Sequence, residues 1–283
     1  MPADPRGLQA QVKTLETRGV AVRYVCEGSG APVILLQGVG VIGEGWRPQI
    51  AALRDRFTVV APDNRGIGGS SLGAGALTVE EMAGDVLAIA DGEGFDRFHL
   101  AGHSMGGLIA QEIALVAPRR VESLALLCTF LHGKDAARLT PDIMWTGLRT
   151  RIGTRAMRRR AFMRLVMPDA YLQSAPSSLA ADLALLFGHD LADQPPIVMK
   201  QLRAASRYDA SARLGALGTI PTLVVTATFD RIALPQFGRA LSAAIPGARY
   251  VEIADAGHGC TIQCAAQVNE LLAEHFAGAA VSR

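Results

Sequence analysis

The sequence predicts an α/β protein built on a mostly parallel sheet, and three observations carry that expectation. Apolar runs of strand length alternate with helix-length segments of 3.6-residue periodicity, the pattern of repeated βαβ units. Most of these runs are nearly continuous in apolar residues, as strands buried on both faces are. Finally, 283 residues with 49% hydrophobic and 19% charged composition can bury one large core, and they do not suit a disordered chain.

Taken in order, "VAVRYVCEG" (20–28) alternates with period two and predicts an antiparallel strand, whereas "PVILLQG" (32–38) and "FTVVAPD" (57–63) read as buried parallel strands. A helix follows in "TVEEMAGDVLAIADGEG", where Thr78 is placed to cap the N-terminus with Glu81 three residues on. The strand "FHLAGHS" (98–104) then runs directly into the helix "SMGGLIAQEIALVAP", which Pro118 ends, and "VESLALLCTF" (121–130) supplies another strand. The alternation fails from about Leu131 to Arg213, a stretch of short helical patterns rich in Arg and Met, read as a helical insertion between two strands. The sheet pattern resumes with "PTLVVTATFD" (221–230) and "ARYVEIADA" (248–256), and "TIQCAAQVNELLAEHF" closes the chain as a helix.

Composition excludes several function classes. A formal net charge of +2 gives no global field for nucleic acid. The N-terminus "MPADPRGLQAQVKTLETRG" has no apolar signal region and no segment has the length of a membrane span, so a cytoplasmic protein without stable membrane association is expected. Cys26, Cys128, Cys260 and Cys264 are too few for a disulfide framework and read as reduced thiols. His258, Cys260 and Cys264 lie close in sequence but lack a second ligand group, so neither a metal nor a cofactor is expected.

The stretch "HLAGHSMGGL" (99–108) crowds glycine around Ser104 between a strand and a helix. A strand that turns sharply into a helix strains the turning residue and needs small neighbours two positions to either side, the places held by Gly102 and Gly106. The strain projects the serine hydroxyl from the carboxyl edge of the sheet, above a helix N-terminus whose N–H groups face a developing anion. Ser104 is therefore the candidate nucleophile.

A serine hydroxyl needs a base, and the base needs an orienting acid. Of six histidines, His99 lies in a strand, His103 is expected to point away from Ser104, His132 and His189 fall in the insertion, and His275 lies in the last helix where a solvated side chain is expected. His258, in the Gly-flanked loop "ADAGHGC" after the last strand, is the candidate base. For the acid, the strand ending at Cys128, Thr129 and Phe130 carries no carboxylate, whereas the next places Asp230 at its carboxyl end. Asp255 is too close to His258 in sequence to orient it.

The order Ser104, Asp230, His258 around a parallel sheet resembles the α/β-hydrolase superfamily over nearly the whole chain. That resemblance implies an eight-stranded sheet, a core of residues 1–130 and 214–283, and a helical cap of residues 131–213. It implies an oxyanion hole at "LLQGVG", with backbone N–H groups from Val39 and Met105, although Gln37 stands where the superfamily usually has histidine. "APDNRGIGGSS" is similar to a loop of that superfamily and is read as structural, with Asp63 and Arg65 bracing it. The tail "GHGCTIQCAAQVNELLAEHF" is similar to small capped esterases and the 3-oxoadipate enol-lactonase-like group, which implies ester or lactone hydrolysis through an acyl-enzyme on a small-molecule substrate. Carbon–carbon bond hydrolysis, perhydrolysis and a slowly turning receptor on the same triad are the alternatives.

Gln37, Met144, Trp145, Leu148 and Met163 are the candidate substrate-binding residues. Arg149, Arg151, Arg155, Arg158, Arg159, Arg160 and Arg164 are too many for one helix face and read as a solvated basic surface, one of which could meet a substrate carboxylate.

Overall fold

The structure, a computed structural model, describes residues 11–136 and 141–281. The first ten residues, on which part of the N-terminal reading rests, and residues 137–140 of the insertion lie outside the described residues.

Eight strands form one sheet: β1 Gln11–Thr17, β2 Val20–Gly28, β3 Ala31–Leu36, β4 Phe57–Pro62, β5 Phe98–His103, β6 Val121–Leu127, β7 Thr222–Ala227 and β8 Arg249–Ile253. Their spatial order is β1-β2-β4-β3-β5-β6-β7-β8. β1 and β2 pair antiparallel, β2 joins β4 antiparallel, and every later pairing is parallel. β1 belongs to no strand expected from the sequence. Its residues "QVKTLET" are exposed or half-buried at the sheet edge, so it lacks the apolar run that reveals a central strand.

Twelve helices flank or extend the sheet among the described residues: α1 Arg47–Leu53, α2 Val79–Gly92, α3 Met105–Val116, α4 Gly133–Ala136, α5 Pro141–Arg149, α6 Arg155–Val166, α7 Asp169–Ser174, α8 Leu179–Phe187, α9 Ile197–Arg207, α10 Pro235–Ala244, α11 Cys260–Gln263 and α12 Ala265–Val281. Thr78 caps α2 by accepting from the Glu81 N–H, as the sequence predicts. Strands β5 and β7 are buried at every position, and Phe98, Leu100, Leu124 and Leu223 pack with α3 and α12 residues such as Ile109 and Phe276 into one core. Each fully buried aliphatic or aromatic side chain contributes about 1.5–3 kcal/mol by leaving water.

The stretch between β6 and β7 forms α4–α9, and its only described strand-like contact is an isolated antiparallel bridge of His132 with Asp209. Beside it the Gly133 N–H donates to the Tyr208 carbonyl at 2.9 Å, so the chain enters and leaves the insertion along one pinned stalk. Within the insertion, Val166, Met167, Leu179, Leu183 and Leu191 make a second, smaller hydrophobic cluster. The expected basic surface is largely ion-paired: Arg155 and Arg159 hold Asp190, Arg155 also reaches Asp193 at 2.7 Å, and Arg164 meets Asp169 at 2.8 Å. Arg159, the Ala192 N–H and Arg155 together keep the Asp190 carboxyl far below the usual carboxylate range. Among the described residues no helix is long and apolar enough to cross a membrane.

Candidate active site

Ser104 links β5 to α3 at φ 56° and ψ −121°, a conformation that L-residues rarely adopt. The crowding explains its glycines. A Cβ on Gly102 would lie 2.2 Å from the Gly106 carbonyl oxygen, and one on Gly106 would lie 2.1 Å from the Leu36 carbonyl oxygen. Strand β5, helix α3 and strand β3 therefore meet at distances only glycine permits. The turn is also tied at both ends, since the Ser104 N–H donates to the Leu127 carbonyl at 3.0 Å and the Thr129 hydroxyl donates to the Ser104 carbonyl at 2.7 Å. Thr129, noticed in the sequence only as a strand end without a carboxylate, thus braces the elbow from the next strand.

Asp230 and His258 follow β7 and β8 at the same carboxyl edge. The His258 Nδ1–H donates to Asp230 Oδ2 at 2.8 Å, and both side chains are buried. The other carboxylate oxygen accepts from the Ile232 and Ala233 N–H groups, each at 2.8 Å, which fixes the carboxyl plane from below. Such an arrangement holds the ring in the tautomer whose Nε2 lone pair is available as a base.

His103 has a role that sequence reasoning missed. Its ring lies 4.7 Å from the His258 ring, centroid to centroid, and its Nε2–H donates to the His258 carbonyl at 2.8 Å. Trp46 meets the same ring in a T-shaped contact, centroids 6.4 Å apart. Burial, with the neighbouring His258 next in effect, pushes its pKa down to about 3, so it supports the His258 loop as a neutral ring. His275, expected to be solvated, is instead half-buried and donates from Nε2 to the Leu124 carbonyl at 3.0 Å, and burial lowers its pKa to about 4.

The loop after β3 faces Ser104. A Cβ on Gly38 would lie 3.0 Å from the Ser104 Cβ and 3.4 Å from its Oγ, so the bare glycine leaves room for the serine side chain. The Gly38 N–H is taken by the Gln37 side-chain oxygen at 3.2 Å and the Gly40 N–H by Gln201 at 2.8 Å. Between them, among the described residues, the Val39 N–H finds no acceptor, nor does that of Met105 at the start of α3. Gln37 is buried, and Asn64 donates to its carbonyl at 2.9 Å. Asp63 accepts from the Gly43 and Gly69 N–H groups at 2.7 and 3.0 Å and from Arg23 at 3.0 Å, while Arg65 forks onto Asp85 at 2.5 and 2.8 Å. Those residues brace the loops, as read from the sequence.

The remaining candidates divide. Met163 packs against the insertion's own hydrophobic cluster. Met144, Trp145 and Leu148 lie on α5 with 57%, 60% and 48% exposure.

Among the described residues one group has spacing for a metal: His103, Cys128 and His258 offer ligand atoms within 4.8 Å of one another. This is not the sequence cluster, since Cys260 instead packs its sulfur 3.5 Å from that of Cys128. That contact and burial drive the Cys128 thiol well above its ordinary pKa, which disfavours the thiolate a metal needs. His258 and His103 are moreover already engaged in the hydrogen bonds just described, so an ion there would compete with the His258–Asp230 bond.

Comparison with known proteins agrees with this fold. A family model described as alpha/beta hydrolase fold matches residues 31–262. A protein of Klebsiella pneumoniae, provisionally named carbamate hydrolase RutD, is 31% identical over 250 residues, covering 86% of this chain and 90% of its own. Among solved structures, the enol-lactonase from Burkholderia xenovorans LB400 superposes with a TM-score of 0.79 at 26% identity, covering 94% of this chain and 100% of its own. A thermophilic esterase from Thermogutta terrifontis gives a TM-score of 0.76 at 26% identity, covering 96% and 99%.

Proposed function

The chain belongs to the α/β-hydrolase fold family, and from that membership we propose that it is a serine hydrolase cleaving a carboxylic ester or lactone of a small to medium organic acid through an acyl-enzyme. The observation that carries this reading is the 2.8 Å bond from His258 Nδ1–H to Asp230, formed at the same sheet edge as the strained Ser104.

In the proposed reaction His258 Nε2 takes the Ser104 proton as Oγ attacks the carbonyl carbon. The carbonyl oxygen becomes an oxyanion that accepts from the Val39 and Met105 N–H groups, each worth roughly 3 kcal/mol of barrier. The imidazolium gives its proton to the leaving alkoxide, and the C–O bond breaks. Water, deprotonated by the same ring, then attacks the acyl-enzyme and restores Ser104. No step requires a cofactor.

We read the helical insertion, which follows β6 at the carboxyl end of the sheet, as a cap of residues 131–213 that bounds the substrate pocket. Gln37, Met144, Trp145, Leu148 and Met163 remain proposals for its specificity. A second reading, carbamate hydrolysis by the same residues, is favoured by the name of the Klebsiella relative.

The test is a panel of p-nitrophenyl esters of graded chain length, lactones and simple carbamates, assayed with the parent and with Ser104→Ala, together with intact-mass analysis after a fluorophosphonate. Turnover abolished by Ser104→Ala and a stoichiometric adduct on the parent are the expected results. A folded parent that forms no adduct removes the serine-hydrolase reading, and faster turnover of carbamates than of esters selects the second.

A further inference from the structure

The insertion grips the oxyanion loop at one residue, Gly40, and we infer that Gln201 on α9, with His189 as its companion, is a positioning residue that aims the Val39 N–H at the reacting carbonyl oxygen. The inference rests on the serine-hydrolase reading above and adds a role for the insertion within the chemical step.

Gly40, the residue after Val39, is held by both of its backbone groups. Its N–H donates to Gln201 Oε1 at 2.8 Å, and its carbonyl faces His189 Nε2 at 3.0 Å. Both side chains come from the insertion, 161 and 149 residues further along the chain. Gly40 has φ +72°, and a Cβ there would meet Val198 Cγ2 at 2.9 Å, so α9 lies directly against the loop.

Peptide planarity turns this grip into aim. Each residue has only two soft dihedrals, so an N–H is directed by the peptide units on either side of it. The Val39 N–H belongs to the peptide between Gly38 and Val39. The unit before it is fixed by the bond from Gly38 N–H to Gln37 Oε1, and the unit after it by the bond from Gly40 N–H to Gln201. With both neighbours held, the middle N–H has little freedom to swing. Without Gln201, one side is released.

Gln201 is suited to that task. It has no exposed surface, and its amide is used at both ends, since Nε2 donates to the Arg65 carbonyl at 3.2 Å while Oε1 accepts from Gly40. A donor needed on one side and an acceptor on the other fix the amide's orientation. The Arg65 loop is itself braced through Asp85, so the oxyanion loop is referred to a rigid part of the core through one side chain of the insertion.

The experiment compares the parent with Gln201→Met, which keeps side-chain length and apolar volume but removes both polar contacts, and with His189→Ala. For each, kcat and KM are measured on the best ester of the panel, and affinity is measured for a trifluoromethyl ketone, whose adduct with Ser104 places an oxyanion at the Val39 N–H, and for the product alcohol, which does not. Gln201→Met is expected to lower kcat about 10- to 100-fold with KM changed less than about 2-fold, because misplacing a group by about 1 Å can cost that much. Trifluoromethyl ketone affinity should fall by a similar factor and alcohol affinity should hold, a pattern that general loosening of the fold does not produce. If Gln201→Met does not fold, His189→Ala supplies the same readout from the other side of Gly40. Unchanged kcat and unchanged ketone affinity in the folded variant overturn the inference. A parent that fails to form the fluorophosphonate adduct overturns the underlying reading instead, so the two failures are distinguishable.

Discussion

The backbone of Ser104 makes a stability prediction separate from activity. At φ 56° and ψ −121° an L-residue is held at a cost of about 1–3 kcal/mol, whereas glycine adopts this region without strain. Ser104→Gly relieves the strain but loses about 0.5–1 kcal/mol through the extra chain freedom of glycine in the unfolded state. Ser104→Ala removes the same hydroxyl and keeps the strain, so the difference between the two variants isolates the backbone. Subtraction leaves the Gly variant more stable than the Ala variant by about 1.2 kcal/mol at the middle of those ranges and by about 0–2.5 kcal/mol across them, the middle value being about 2–5 °C in Tm. The strain cannot relax through local movement, because the Leu127 carbonyl, the Thr129 hydroxyl and the Gly107 N–H all bond the Ser104 backbone. Thermal and urea unfolding of both inactive variants measure the difference. A more stable Ala variant would refute the claim that the elbow stores strain.

Three further outcomes follow from the geometry. In Asp230→Asn the side-chain oxygen keeps accepting from the Ile232 and Ala233 N–H groups, so the fold holds while kcat drops about 10⁴-fold through loss of the His258 tautomer; near-normal turnover moves the acid role elsewhere. Gly106→Ala forces a Cβ to 2.1 Å from the Leu36 carbonyl oxygen and should cost about 1–3 kcal/mol or more as well as activity, read as a lower urea midpoint. Burial depresses the pKa of His99, His103 and His275 to about 4, 3 and 4. Because each binds a proton more readily when unfolded, stability is lost as pH falls from about 6.5 toward those values, at up to about 1.4 kcal/mol per pH unit for each ring. Unfolding free energies measured from pH 7 to 4 check this, and His99→Asn should give a shallower slope than the parent.

The parallel strands were legible because burial on both faces writes a continuous apolar run, as β5 and β7 show. β1 was not, because an edge strand whose residues are exposed or half-buried needs no such run. Ser104, Asp230 and His258 could be found because each follows a recognisable strand, and strand direction alone brings those ends together. His103 and Gln201 could not, since their contacts depend on how a loop and an insertion fold back in space. Gln201 did leave a trace: Ile197, Gln201, Ala204 and Ala205 are the buried residues of α9, so an amide interrupts an otherwise apolar helical stripe, and a polar residue there must find partners. His275 misled because its helix position says nothing about the Leu124 carbonyl beneath it.

The stalk at His132, Gly133, Tyr208 and Asp209 bears on how this molecule can change. Since the chain leaves and rejoins the core at one point, the sheet experiences the whole helical segment as a tight turn, and doubling the length threaded through it adds only about 0.6 kcal/mol of closure entropy. Extension of the segment is therefore thermodynamically easy, whereas exchange must also replace the packing of Ala204, Ala205 and Tyr208 in the main core. What such a graft loses is the bond to Gly40, because Gln201 leaves with the segment that carries it. Recombination at the stalk that kept that packing would yield folded proteins of poor turnover until an amide was restored opposite that glycine.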